Sequence, residues 1–462
     1  LIMSKDQASV LTKSINEDSN IESSIDFNGA ELQPLKKWRW NSPFVQCLYA
    51  GFLVALTAGL YVTVTGLGAG GGKSSSERVN AISTSLGDGL WVFSALASGT
   101  LINVYGPRVC CMIGASGYPF YIAGFWVYDK TGIAAIPIIC GVISGLTCGF
   151  LWGAQMWIVA TYAKENEKGK YVAWNHIMFV LGGTAGCIIT TCISKDLKKG
   201  NQGVYWYIYL IFVMITASAV AFAYFLEDPK KIRRDDGTKI AIFKARTIKE
   251  ELTSLLDAFT HKRIIIMMIP LFTCQIMFSL YSSLNAHIFS TRARALNNLF
   301  YWFAQVPASF LFEFLADYKG LSRKTRGYLA LGATATVVFS GLMGVSIMMG
   351  KWGLSDFSRS VTLGIDWSET KYAGLFIWYF VCGISYGMMM SLRIWIISSF
   401  SNNPQQQSSY SGIIVTFQAA GISIAFGLNA AGVAYEKLLI VWWVLYGTSM
   451  ICMACAIKFF FY

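Results

Sequence analysis

Twelve apolar stretches, separated by short polar segments, run along the chain at 43–65, 84–105, 109–128, 133–158, 172–192, 204–226, 264–286, 296–318, 327–349, 372–397, 409–430 and 438–460. At about 1.5 Å of rise per residue, each is long enough to cross roughly 30 Å of bilayer hydrocarbon as a helix. A membrane β-barrel would show ten-residue segments of alternating polarity, not unbroken apolar runs. The pattern predicts an all-α membrane protein with twelve transmembrane helices in two pseudo-symmetric six-helix bundles.

The polar segments set the expected division. Residues 1–40 are polar and lack a core-forming run, which predicts a disordered cytoplasmic tail. A first bundle is expected over 41–226 and a second over 264–462. Between them, 227–263 reads as a cytoplasmic linker. Within it Ile248, Leu252, Leu255, Leu256 and Phe259 recur at helical spacing opposite Lys249, Glu250 and Glu251, as an amphipathic helix along the membrane or a docked linker helix would require.

Composition agrees. Apolar residues make up 55% of the chain and charged residues 13%, against roughly 25% charged in soluble domains. The net charge of +12 would suggest nucleic acid in a soluble protein, but here the basic residues cluster between apolar runs, as loops beside anionic headgroups do. Of 37 Lys and Arg residues, 24 fall on the side that carries both ends of the chain and 12 on the other, with Arg393 inside a helix. The positive-inside rule then places both termini in the cytoplasm. Plasma and organellar membranes are not distinguished. Eleven cysteines, mostly in apolar runs, repeat no metal-ligand spacing. No metal and no cofactor are expected.

Two internal matches suggest a repeat. Cys148-Gly149-Phe150-Leu151-Trp152-Gly153 aligns with Cys382-Gly383-Ile384-Ser385-Tyr386-Gly387, as C-G-x-x-aromatic-G at equal depth. The loop containing Asn103, Gly106, Pro107 and Arg108 corresponds to the one containing Asp317, Gly320, Arg323, Lys324 and Arg326. These loops resemble the short cytoplasmic loop of the major facilitator superfamily, in which an Asp at a helix end, a Gly turn and following Arg residues clamp neighbouring helices. Asn103 stands where that pattern has Asp, so the resemblance implies a weaker clamp in the first half. Asp317 is expected to meet Arg323 or the N-terminal end of a neighbouring helix.

A narrower resemblance covers about 41–190. Asn41-Ser42-Pro43 through the glycines ending at Gly72, Gly117-Tyr118-Pro119-Phe120-Tyr121, Tyr128-Asp129-Lys130-Thr131-Gly132, Gly149 through Gln155, and Tyr162 through Tyr171 are similar to the UNC-93 family. Members of that family resemble transporters, and the founding one is associated with potassium-channel regulation. The resemblance implies no particular solute.

The candidate chemistry is sparse. Gly68 to Ser74 imitates a nucleotide-binding loop but misses the required spacing by one residue and follows an apolar helix. Gly141, Gly145, Gly149 and Gly153 form a strip suited to close helix packing. Asp88 is placed near the outer end of the second helix. Glu313 and Arg393 fall in the inner third, where they can pair, reach the interface separately or meet solute. No acid is expected near the midplane of helices 1, 4, 7 or 10, which disfavours an ordinary proton symporter without excluding coupling through Asp88 or Glu313. Trp152, Gln155, Gln275, Tyr379 and Tyr386 are the candidate cavity residues, since an amide facing lipid would lack partners. Asn103, Arg108, Glu313, Asp317, Arg323 and Arg393 are the candidate lock residues.

No catalytic constellation is present at common depth, and no enzyme is expected. The sequence favours alternating-access transport of a small polar or amphipathic solute. The alternative is a non-transporting regulatory or accessory subunit of a channel or another membrane protein. Expected partners are a small-molecule or ion substrate and membrane lipids, with a membrane-protein partner under the alternative; nucleic acid is not expected.

Overall fold

The computed structural model describes residues 36, 38–66, 76–164, 167–194, 205–235, 237, 240, 248–352, 363–401 and 403–461. Most of the expected N-terminal tail, the glycine run after Gly66 and the basic loop at 195–203 lie outside them. Among the described residues, ten helices are long and apolar enough to cross a membrane. Large apolar side chains such as Phe93, Ile139, Ile377 and Ile451 point outward. Polar Thr57, Ser98, Gln305 and Gln418 are fully enclosed. That inverse arrangement suits lipid outside and hydrogen-bonding partners within. The protein is an integral, multi-pass membrane protein with an all-α fold.

The first helix, α1, is Pro43–Gly66. One π-helical turn, Ala55–Gly59, interrupts it at mid-depth. The second, α2, is Ser76–Thr131. Its 56 residues would extend about 84 Å if straight. The path instead bends at Gly106, whose φ of 82° lies in the left-handed region open to glycine. Ala135–Tyr162 (α3), Lys168–Ser194 (α4) and Trp206–Ala223 (α5) follow. The linker helix α6 is Ile248–Thr260, with Ala258 buried and Phe259 against Phe417.

A broken element comes next: Met268–Thr273 (α7), then Ile276–Ile288 (α8), with Gln275 at the junction. Thr291–Phe303 (α9) and Gln305–Ala316 (α10) form one further crossing. Arg323–Trp352 (α11), Tyr372–Ser398 (α12), Pro404–Ala430 (α13) and Tyr435–Phe460 (α14) complete the chain.

The two C-G-x-x-aromatic-G segments do equivalent work. Gly149 and Gly153 on α3 leave room for Ser94, Ala95 and Ser98 of α2. Gly383 and Gly387 on α12 leave the same room for Tyr301 of α9 and Gln305 of α10. In each case small residues let two backbones touch and aim the intervening aromatic, Trp152 or Tyr386, at a shared central cavity.

Candidate functional site: a central cavity closed at both ends

The cavity lies between the segments before and after the linker. Its volume is about 50 Å³, room for a few waters at about 10–15 Å³ each on this measure. Asp88, Trp91, Tyr118, Tyr121 and Trp152 line it from the first half, and Gln275, Phe278 and Tyr386 from the second. Trp152 Nε1 donates to the Tyr118 hydroxyl at 3.0 Å. Gln275 Nε2 donates to the Tyr386 hydroxyl at 2.7 Å. The Tyr121 hydroxyl is held by Asn80 Oδ1 at 3.2 Å and Thr65 Oγ1 at 3.1 Å. Polar groups are the minority of the wall, and those named here are satisfied.

Two lining atoms are not. Asp88 Oδ2 and Trp91 Nε1, one helical turn apart, are buried without a hydrogen-bond partner. Buried polar atoms are nearly always paired, so these two have bonding capacity left for whatever enters the cavity. The expected position of Asp88 near a helix end is corrected. The helix begins at Ser76, not near residue 84, and Asp88 therefore sits about 18 Å along it. The polar run at 76–83 reads as loop in sequence because its side chains serve the interior. Glu77 meets Ser283 at 2.8 Å, Asn80 meets Tyr121, and Ser83 Oγ donates to Pro137 O at 2.7 Å.

Three of the five candidate cavity residues, Trp152, Gln275 and Tyr386, line this space. Two expectations are corrected. Gln155 is not among the lining residues; its amide donates to Asn175 Oδ1, and Asn175 in turn donates to Cys47 O at 3.0 Å. It joins α3, α4 and α1 instead of facing solute. Tyr379 lies away from the cavity, where its hydroxyl donates to Tyr281 O at 2.9 Å.

At the end carrying Asp317, the two halves meet through backbone. Asp317 Oδ1 accepts from Gly169 N at 3.0 Å and Oδ2 from Lys170 N at 2.7 Å, at the N-terminus of α4. That is a carboxylate at the positive end of a helix. Of the two partners expected for Asp317, the helix terminus is the one it contacts. Burial outweighs these bonds and raises the Asp317 pKa above the usual carboxylate value. The two N–H bonds themselves favour the ionised carboxylate, while the burial that raises the pKa costs the fold stability as pH climbs through the raised value. Lys168 Nζ donates to Ser398 O, and Ser408 Oγ to Gly99 O at 3.1 Å.

The other end is closed as well. Ser282 Oγ donates to Thr65 O at 3.0 Å, Asn285 Nδ2 to Gly66 O at 3.2 Å, and Asn298 Nδ2 to Thr63 O at 3.3 Å. His287 lies 3.5 Å from Glu77. Ser85 and Ser423 donate to each other's carbonyls at 2.9 and 2.7 Å. Nearby Asp366 is gripped by Arg292, Ser290 and Ser368, and the Arg292 guanidinium holds its pKa far below the usual carboxylate range.

The remaining lock candidates separate. Arg108 Nε donates to Leu226 O at 2.6 Å and lies 3.7 Å from Glu227, so it fastens one half to itself. Asn103 lines a surface cleft beside it. Arg323 sits over the Phe461 ring at 5.7 Å. The expected option of a Glu313–Arg393 pair is corrected. Arg393, fully buried, donates to Gln418 Oε1 and faces Met390 Sδ at 3.1 Å. Glu313 is instead beside Trp174, Lys170 and Asp317.

A family model described as Major Facilitator Superfamily matches residues 47–426. The chain belongs to that superfamily. An uncharacterised membrane protein of Schizosaccharomyces pombe is 33% identical over 393 residues, 84% of this chain and 79% of the relative. UNC93-like protein 1 of Arabidopsis thaliana is 27% identical over 414 residues, 89% of each chain, a link at family level. Among solved structures, the proton:xylose symporter XylE bound to 6-bromo-6-deoxy-D-glucose superposes with a TM-score of 0.60 at 14% identity, covering 90% of this chain and 94% of that one. That superposition gives this superfamily member its fold and leaves its solute to be argued from the cavity.

Proposed function

We propose that this protein carries a small polar solute across its membrane by alternating access, and that it is UNC-93-like within the superfamily. Counting α2 as two crossings about Gly106 and the broken α7–α8 as one, the described helices fit twelve crossings in two pseudo-symmetric bundles, 41–226 and 264–462. On the positive-inside rule the Asp317 end is cytoplasmic, as are both termini and the linker at 227–263. The observation that carries the reading is the central cavity: it holds unpartnered polar atoms and lies between two sets of side chains that hydrogen-bond mainly to backbone across the halves. Such contacts can break at one end while the other holds, which is what two discrete packings require. A non-transporting regulator is the second reading, and the cavity's small volume favours it.

The experiment is a thermal-shift screen of the purified protein against a solute library, followed by variants. Gln275→Leu should weaken binding of any hit by about tenfold, equivalent to about 1.4 kcal/mol. Gln155→Leu should leave affinity unchanged while lowering stability by about 1–3 kcal/mol, since it strands Asn175 Oδ1. A screen without hits, or equal affinity in Gln275→Leu, contradicts the proposal.

A further inference from the structure

We propose that the solute is a small organic ammonium ion, with Asp88 as its counter-charge and the surrounding rings as its walls. This rests on reading the cavity as the solute site. Asp88 is 7% exposed, and its Oδ2 has no partner. No Lys, Arg or His lines the cavity. Arg393, the buried cation seven residues beyond Tyr386 on α12, is turned to Gln418 and Met390 and does not reach the wall. An ionised carboxylate enclosed this way costs several kcal/mol unless a positive charge joins it. A single carboxylate calls for a single positive charge and repels anions.

The remainder of the wall selects the kind of cation. Nine of the lining residues are aromatic, among them Tyr61, Trp91, Tyr118, Tyr121, Trp152 and Tyr386. Ring faces attract alkylammonium groups, and a carboxylate with an aromatic cage is how such cations are held elsewhere. A bare alkali ion needs a shell of oxygens. Here the hydroxyls of Tyr118 and Tyr386 already accept N–H bonds from Trp152 and Gln275. A volume of about 50 Å³ suits an occupant of only a few heavy atoms, methylammonium among them. Its N–H groups would bond Asp88 while its methyl lies against the rings.

The test uses the full chain, purified in detergent, with methylammonium chloride as the probe at constant ionic strength. Methylammonium should raise the melting temperature saturably, whereas potassium chloride, sodium acetate and neutral acetamide should not. Asp88→Asn should bind methylammonium at least about 30-fold more weakly, as removal of one partner of a buried charge pair does. Asp88→Glu should retain part of the affinity. If Asp88→Asn fails to fold, the selectivity of the native chain and Asp88→Glu still decide. Equal stabilisation by acetamide, acetate or potassium overturns the proposal, as does undiminished binding by Asp88→Asn. Uptake of labelled methylammonium into proteoliposomes, above protein-free liposomes, separates this inference from the carrier reading. Asp88-dependent binding without uptake upholds the ammonium site and contradicts the carrier. Uptake of a neutral solute that survives Asp88→Asn does the reverse.

Discussion

Gly145→Val should melt far below the native protein, by an amount equivalent to more than about 3 kcal/mol, because its side chain has nowhere to go. A Cβ at Gly145 overlaps the carbonyl oxygen of Gly87, and one at Gly141 overlaps Ser83 on the same helix, α2. These are backbone-on-backbone contacts, so no rotamer change relieves the clash. The two helices must separate, and the displaced residues are neighbours of Asp88. Gly332→Ala on α11 is the control. A Cβ there meets nothing within 4 Å, and the replacement should be neutral or stabilise by up to about 1 kcal/mol through helix propensity. Tryptophan fluorescence during thermal unfolding reads both. A Gly145→Val protein that melts with the native one would show that the α2–α3 contact is not as close as described.

A cross-link between Ser85→Cys and Ser423→Cys should stop transport outright. The two serines bond each other's carbonyls across the halves, one on α2 and one on α13. A disulfide there would hold the Glu77 end shut, whatever happens at the other end. Uptake into proteoliposomes should fall to the level of protein-free liposomes on oxidation and recover on reduction. Each single-cysteine variant should transport under both conditions. Undiminished uptake by the oxidised double variant would mean that this end does not open during transport.

How much of this was legible in the residues follows from what each feature depends on. Helix positions depend on local hydropathy, and the apolar runs located nearly all of them. Trp152 and Tyr386 were legible because the glycines beside them repeat at equal depth. Asp88 was recognised but misplaced, because Glu77, Asn80 and Ser83 make the first turns of its helix look like loop. Their polar groups bond inward, to Ser283, Tyr121 and Pro137, which no hydropathy profile records. Gln155 and Gln275 are indistinguishable as buried amides in sequence. Asn175, 20 residues beyond Gln155, is what turns that amide away from the cavity. The partner of Asp317 is the backbone of Gly169 and Lys170, which has no side-chain signature and lies almost 150 residues away.

Alternating closure of the two ends is the central claim, and paired spin-label distances test it most directly. Labels at Tyr105 and Lys319 report the Asp317 end, and labels at Arg78 and Glu436 the Glu77 end; all four positions are exposed. In lipid, Asp317→Ala removes the acceptor for Gly169 and Lys170 and should shift the Tyr105–Lys319 pair toward long distances while the Arg78–Glu436 pair stays short. The oxidised Ser85→Cys/Ser423→Cys protein should likewise keep the Arg78–Glu436 pair short and leave the other free to lengthen. A single, unchanged distance at both ends in the native protein and in Asp317→Ala would contradict alternating access.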